Sequence, residues 1–205
     1  VTVDNEMRAE TGGTLNANGN LVLNSGAQLF HGTGTTTPCA CEGTVNGNIV
    51  VKRQGTSSST KYNAWSTPVL NGVLPGSNGY EYVQGSGTHD HSDDNPGPDP
   101  GWSGFSGAMT KGKGYVSTNG GLAVFSGTPN NGDVPFGVTT SVNPINSLTP
   151  GSKFNLVGNP YPSSISASSF ISGNSPGVIA AALYFWDDDN SGGSGYDASD
   201  YAVRT

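Results

Sequence analysis

The chain has 205 residues, of which 33% are hydrophobic and 11% charged, and its formal net charge is −7. This length fits one large domain or two small ones and is sufficient for a hydrophobic core. The acidic balance argues against nucleic-acid binding, which requires a basic surface, and no apolar run reaches the ~20 residues of a membrane-spanning helix. The 32 glycines and only 8 Lys and Arg residues favour short strands and tight turns over helices.

Near the N-terminus, three short apolar segments alternate with Asn-Gly and Ser-Gly turns. The segments cover residues 14–17, 20–23 and 27–30. Asn and Gly accept the positive φ that tight turns require. The pattern fits either a meander of hairpins or the turns of a parallel β-solenoid, in which side chains of successive turns stack. Recurring leucines favour the solenoid; they are Leu15, Leu21, Leu23 and Leu29.

The two cysteines, Cys39 and Cys41, are separated by a single residue. A disulfide across this spacing is strained, because the two Cα atoms lie near the upper limit of disulfide reach. A Cys-x-Cys pair alone leaves two positions of a tetrahedral metal site unfilled. A tight disulfide, two free thiols and a metal or intermolecular bridge therefore all stay open.

The next segments are predicted to be strands. Asn46-Gly47 lies between two β-branched runs in residues 44–53 and predicts a hairpin. Residues 62–70 predict a strand through the core with Trp65 as its anchor. Residues 71–107 consist mostly of turn signals, so we expect either a functional loop or a surface excursion there.

The turn-rich segment contains two histidines and several carboxylates. His89 and His91 have the alternate spacing that suits Zn or Cu on an extended strand. The nearby acids provide the hard oxygen ligands that Ca²⁺ prefers; they are Asp93, Asp94 and Asp99. A solvated acidic loop without any metal is the alternative.

Downstream, Gly112-Lys113-Gly114 lacks the spacing of a phosphate-binding loop and is interpreted as a turn. Residues 122–127 and 134–139 predict two strands. A proline-rich corner follows at residues 158–162. A short helix is then expected at residues 166–171 with Ser166 as N-cap, before an apolar run at residues 178–186.

The acidic loop after residue 186 begins like a calcium loop. Asp187, Asp189 and Ser191 occupy positions one, three and five, and Gly192 occupies position six. Position twelve is Ala198, which breaks the EF-hand pattern. Two further acids, Asp197 and Asp200, are the candidates to complete the ligand shell. The loop thus predicts a structural Ca²⁺ site or, alternatively, an uncoordinated polar turn.

Two motifs carry a family resemblance: Asn-Leu-Val-Gly-Asn-Pro-Tyr-Pro-Ser at residues 155–163 and Leu-Tyr-Phe-Trp-Asp-Asp-Asp at residues 183–189. They resemble a pattern in large surface proteins of the Bacteroidota that are secreted by the type IX route. Further segments of this pattern precede them in the same order, at residues 65–69, 108–115 and 125–134. The resemblance implies an extracellular ectodomain, adhesin-like or filament-like.

Together these observations predict an all-β protein. We expect a short solenoid-like segment at residues 1–55 and a jelly-roll-like β-sandwich at residues 56–205, or one continuous domain. No nucleophile, base and orienting group can be assembled from the sequence, so we expect no enzyme.

The predicted function is an extracellular adhesion module that is stabilised by Ca²⁺ and binds glycans or proteins of cell surfaces or the environment. Trp102, Tyr80 and Tyr82 are the candidates for stacking on sugar rings, with core packing as their alternative role. The other function considered is a structural subunit of a filament or surface layer, in which copies of the chain associate by strand addition.

Overall fold

The structure is a computed structural model that describes residues 1–10, 12–31, 43–55, 62–83, 102–118, 121–138, 155–174, 182–186 and 201–205. The fold is all-β, as predicted, with one short helix among the described residues. The strands are β1 (Thr2–Val3), β2 (Glu6–Ala9), β3 (Thr14–Asn16), β4 (Leu21–Leu23), β5 (Gln28–His31), β6 (Thr44–Asn46), β7 (Ile49–Gln54), β8 (Tyr62–Trp65), β9 (Ser77–Tyr82), β10 (Trp102–Gly104), β11 (Tyr115–Thr118), β12 (Leu122–Gly127), β13 (Leu183–Trp186) and β14 (Tyr201–Arg204), and the helix is α1 (Ala167–Asn174).

The chain divides into two compact units, Val1–Ser163 and Ser164–Thr205. The domain boundary predicted at residue 55 falls inside the first unit. The jelly-roll arrangement predicted for residues 56–205 stays a prediction.

The first unit begins with a parallel β-solenoid. Strand β1 pairs in parallel with β4 and β4 with β7, while β2 pairs with β5 and β3 with β6. The chain therefore makes two complete three-sided turns and starts a third with β7. Of the two interpretations of the N-terminal pattern, this pairing selects the solenoid over the meander of hairpins.

Apolar side chains of successive turns stack inside the solenoid. Val3, Leu23 and Val51 are in register across β1, β4 and β7, and Met7 is in register with Leu29. Leu23, Leu29 and Val51 have 0% exposure. Each such fully buried side chain stabilises the fold by about 1.5–3 kcal/mol, so these stacks hold the turns together.

The hairpin predicted around Asn46-Gly47 is wrong. Strands β6 and β7 do not pair with each other, because β6 pairs with β3 and β7 with β4. Gly47, at φ 82°, instead turns a corner of the solenoid, and Asn18, at φ 48°, lies at the corner of the turn before. Asn-Gly supplies a positive φ, which a solenoid corner uses as well as a hairpin turn does.

Strand β12 pairs antiparallel with β7 and completes a sheet of order β1-β4-β7-β12. Ala123 and Phe125 of this strand are buried. The second strand predicted at residues 134–139 is wrong as far as it is described, since residues 134–138 form no strand. Pro135 lacks a backbone N–H, which disfavours ladder formation there.

The other four-stranded sheet is antiparallel, with order β10-β9-β11-β8. Trp65 and Tyr115 are paired in register on its buried face. The Trp65 ring lies 6.3 Å from that of Phe125 in the solenoid sheet, so both four-stranded sheets share one core.

Strand β9 lies in the segment for which the sequence predicted mostly turns. Asn78-Gly79, which resembles a turn signal, forms a bulge within it, with Asn78 at φ 49°. A Cβ at Gly79 would collide with the Phe105 carbonyl oxygen. Glycine is therefore needed inside this strand because the backbone of a neighbouring segment passes so close.

The second unit contains α1 and an antiparallel ribbon formed by β13 and β14. The Ser169 N–H donates to Ser166 Oγ at 3.2 Å, which confirms Ser166 as the helix N-cap. The helix extends beyond the predicted residue 171 to Asn174. Within the part of the chain that the structure covers, no helix is long and apolar enough to cross a membrane.

Candidate functional site

Four aromatic residues lie on the outer face of the antiparallel sheet: Tyr62, Tyr80, Tyr82 and Trp102. Trp102 on β10 is paired with Tyr82 on β9. Tyr80 is paired with Val116 on β11, which lies on the face opposite to its neighbour Tyr115 because side chains alternate along a strand. We call these four residues the aromatic face.

The rings of the aromatic face form two edge-to-face pairs. The centroids of Tyr82 and Trp102 are 5.5 Å apart with an interplanar angle of 77°. Those of Tyr62 and Tyr80 are 6.0 Å apart at 61°. Such pairs contribute about 0.5–1.5 kcal/mol beyond their area burial. Because the rings within each pair are far from parallel, the four rings do not form a single flat platform.

All four aromatic side chains are half-buried rather than fully covered. Burial raises the pKa of the Tyr82 phenol above its usual value. Gly104 is paired with Tyr80, and a Cβ at Gly104 would meet nothing within 4 Å. The surface beside Tyr80 therefore has room for a ligand group.

The structure brings together the three aromatic residues that the sequence predicted as ligand-binding, Tyr80, Tyr82 and Trp102. It adds Tyr62, which the sequence analysis assigned to a core strand without naming it as a site residue. A signal was present: Tyr62 and Trp65 are three positions apart, and residues at odd spacing on a strand face opposite sides. With Trp65 in the core, Tyr62 faces outward.

A family model described as a domain of unknown function (DUF8693) matches residues 1–204. The chain belongs to this family. The match covers the solenoid, the aromatic face and the ribbon of the second unit. No curated protein matched the chain in the search, and no solved structure matched it either.

Three segments of the first unit, residues 65–69, 125–134 and 155–163, meet at one buried side chain, Asn130, which is 6% exposed. Its Nδ2 donates to the carbonyl oxygens of Thr67 and Pro160, both at 2.9 Å. Its backbone N–H donates to Pro68 O at 3.0 Å. Asn130 thus joins residues 65–69 to the proline-rich corner, and we call this arrangement the Asn130 clamp.

The proline-rich corner is fixed by further contacts in the same unit. The Tyr161 hydroxyl donates to Gly132 O at 2.7 Å. The Gly158 N–H donates to Gly112 O and the Gly114 N–H to Leu156 O, both at 3.0 Å. The last two hydrogen bonds form an antiparallel bridge between Lys113 and Val157 and give the motif residues a structural role. The predicted turn lies just before the bridge, at Lys111 and Gly112, where Lys113 N–H donates to Thr110 O at 3.2 Å.

One partly buried ion pair lies next to this turn. Lys113 Nζ is 2.5 Å from Glu81 Oε2, and the two side chains are 20% and 24% exposed. Tyr115 is the neighbouring aromatic residue, with its ring centroid 5.7 Å from Lys113 Nζ. The pair links β9 to the turn before β11 and belongs to the framework behind the aromatic face.

The predicted metal ligands lie outside the described residues. This holds for the acids of the turn-rich segment, for His89 and His91, for both cysteines and for the loop after residue 186. Where the structure does describe the chain, it contains no group of three or more His, Cys, Asp or Glu residues that could hold a metal ion. The Ca²⁺ prediction stays a prediction.

Proposed function

We propose that this chain is an extracellular, non-catalytic binding module that holds a glycan on its aromatic face. The observation that supports this is the Tyr82–Trp102 pair with Tyr80 and Tyr62 beside it, all half-buried on one side of a sheet. Aromatic rings offer an apolar surface for the C–H faces of sugars, and tyrosine hydroxyls hydrogen-bond to sugar hydroxyls.

The ring angles favour one form of this ligand. At 77° and 61° between planes, no more than one ring of each pair can lie flat against a sugar on the sheet face. Two stacking positions then remain, one per pair. Such a surface suits a single glycan chain better than the flat face of a crystalline polysaccharide.

A glycan array probed with the purified chain tests the proposal. For a glycan that binds, Trp102→Ala and Tyr82→Ala should each weaken binding about tenfold, or on the order of 1.4 kcal/mol. One ring of this pair makes the stacking contact and the other holds it in place through their edge-to-face contact, so either substitution disrupts the stacking position. The matched control is Phe30→Ala, a half-buried ring on the solenoid with Arg8 Cζ 4.7 Å from its centroid. Equal losses in all three variants, or an array without any hit, would contradict the proposal.

The extracellular location is supported by the low Lys content and by the resemblance to type IX-secreted surface proteins. We also propose that the acids from Asp187 to Asp200 bind a structural Ca²⁺ ion, on the strength of the ligand spacing at positions one, three and five. Calcium should then raise the melting temperature, and the double variant Asp187→Asn/Asp189→Asn should lose this effect. An unchanged melting temperature after chelation would refute the site.

A structural subunit of a filament or surface layer is the second candidate function. It is supported by the exposed apolar side chains of Leu122 and Val124 on β12, an edge strand in the described sheet. Sedimentation velocity over a range of concentrations separates the candidates. A subunit self-associates without glycan, whereas a pure binding module stays monomeric.

A further inference from the structure

Strand β12 pairs on only one of its two sides in the part of the chain that the structure describes. It forms the end of the sheet β1-β4-β7-β12, and all six of its residues are in register with β7 without a bulge. On the other side, Leu70 N–H donates to Thr128 O at 2.8 Å just past the end of the strand. Before that point, the backbone N–H and C=O groups of residues 122–126 form an open row among the described residues. Such a row is a template for pairing with another strand.

The side chains of β12 are apolar on both faces of the sheet. Ala123 and Phe125 are buried on one face, while Leu122 is 48% and Val124 is 56% exposed on the other. A strand that is apolar on both faces is typical of a sheet interior rather than an edge. Natural edge strands are blunted by lysine, proline, a bulge or short length, and β12 has none of these features.

The ribbon β13–β14 is a second element with apolar side chains on both faces. Tyr184 and Val203 are paired on one face and are 53% and 50% exposed, and Phe185 on the other face is 47% exposed. A two-stranded ribbon is marginally stable at best in water. Addition to a larger sheet would cover these side chains.

We propose that β12 is an acceptor edge for the β13–β14 ribbon of a second copy of this chain. The inference rests on the second candidate function, the structural subunit, and names the strands by which it assembles. Adding the ribbon to the four-stranded sheet would form a continuous six-stranded sheet. Leu122 and Val124 would then pack beside the apolar side chains of the ribbon.

The acceptor and the donor are different surfaces of the same chain, so the contact is heterologous. Such a contact leaves one acceptor and one donor open at the ends of every assembly. It therefore produces a ring if the rotation closes and an open filament if it does not.

Two blocked variants test this pairing. Val124→Lys places a charge on the acceptor edge, and the double variant Phe185→Lys/Val203→Lys places charges on both faces of the donor ribbon. In sedimentation velocity, the unaltered chain should form oligomers whose size increases with concentration, and each blocked variant should be monomeric. A 1:1 mixture of the two variants should form dimers and nothing larger, because only one intact contact is possible.

The control is Val73→Lys, since Val73 is 59% exposed and its backbone is bridged to Ala108 rather than to β12; this variant should assemble like the unaltered chain. Circular dichroism spectra that match the unaltered chain exclude unfolding as the cause of a monomer. If the double variant Phe185→Lys/Val203→Lys, whose donor ribbon is blocked, assembled on its own, this would overturn the proposal in favour of pairing between two β12 edges. Oligomers unaffected by either block would overturn this pairing and leave the subunit function standing, whereas a monomeric unaltered chain would overturn both.

Discussion

The Asn130 side-chain amide donates both of its hydrogen atoms to backbone carbonyl oxygens, one to that of Thr67 and the other to that of Pro160. These partners are 63 and 30 positions away in the chain. A buried amide in this arrangement is specific, because no other side chain of similar size donates two hydrogen bonds from one planar nitrogen. The clamp therefore fixes the position of residue 130 chemically, beyond what packing alone requires.

We expect Asn130→Asp to lower the free energy of unfolding at pH 7 by several kcal/mol, since a carboxylate would face two carbonyl oxygens in a buried place. Burial and these acceptors raise the pKa of the new carboxyl in the folded state above its unfolded value. The folded state then binds a proton more readily, so the deficit relative to the original chain should shrink as the pH falls from 7 to 4.

Urea unfolding at pH 7 and pH 4 measures this change. The control is Asn131→Asp, which adds the same charge at an exposed neighbouring position and should change stability by less than about 0.5 kcal/mol at either pH. An Asn130→Asp variant as stable as this control would show that the clamp contributes nothing.

Gly158 is a second position where one residue type is required. A Cβ at Gly158 would collide with the Ser66 side chain and lie 3.0 Å from Lys113 O. We expect Gly158→Ala to destabilise the protein by about 1–3 kcal/mol through overpacking. Thermal unfolding can compare it with Gly104→Ala, whose added Cβ meets nothing within 4 Å. Similar melting temperatures for the two variants would contradict the close approach.

At the scale of elements, the solenoid depends on aligned side chains from successive turns. Leu29, with 0% exposure, is in register with Met7 of the previous turn. Leu29→Ala should lower the free energy of unfolding by about 2–5 kcal/mol, as expected for a cavity in a tightly packed interior. Leu70, at 54% exposure, is the matched control, and Leu70→Ala should change the denaturant midpoint little. A small effect at both positions would argue against the stacks.

The elements also show how far the sequence determines the fold. Leucine recurrence predicted the solenoid, because the interior of each turn needs an apolar residue at the same place. Asn46-Gly47 misled the prediction, since local turn chemistry does not reveal which strands pair. Strand β9 was missed because its Asn78-Gly79 bulge resembles a turn. The need for glycine at position 79 becomes visible only in the fold, where the Phe105 carbonyl oxygen lies too close for a Cβ. The three aromatic site residues were predicted individually, and the register that unites them depends on pairing.

At the scale of the whole molecule, the proposed glycan surface and the proposed assembly edge lie on different sheets of the first unit. Val124→Lys should therefore abolish self-association while leaving the affinity of the monomer for a glycan unchanged. Trp102→Ala should weaken glycan binding and leave self-association unchanged. Titration calorimetry and sedimentation velocity on both variants measure the two properties separately. Loss of both properties in either variant would show that binding depends on assembly.

The distances along the chain impose an order of events during synthesis. Contacts within the solenoid are local, as in the hydrogen bond from Asn24 to Asp4 across 20 positions. The contact of Asn48 with Thr128 spans 80 positions, so β7 has no β12 beside it until much later. The growing chain thus passes through a stage in which the last solenoid strand is uncovered and prone to aggregate. Nascent chains that stall before residue 121 should be the ones that most need a chaperone.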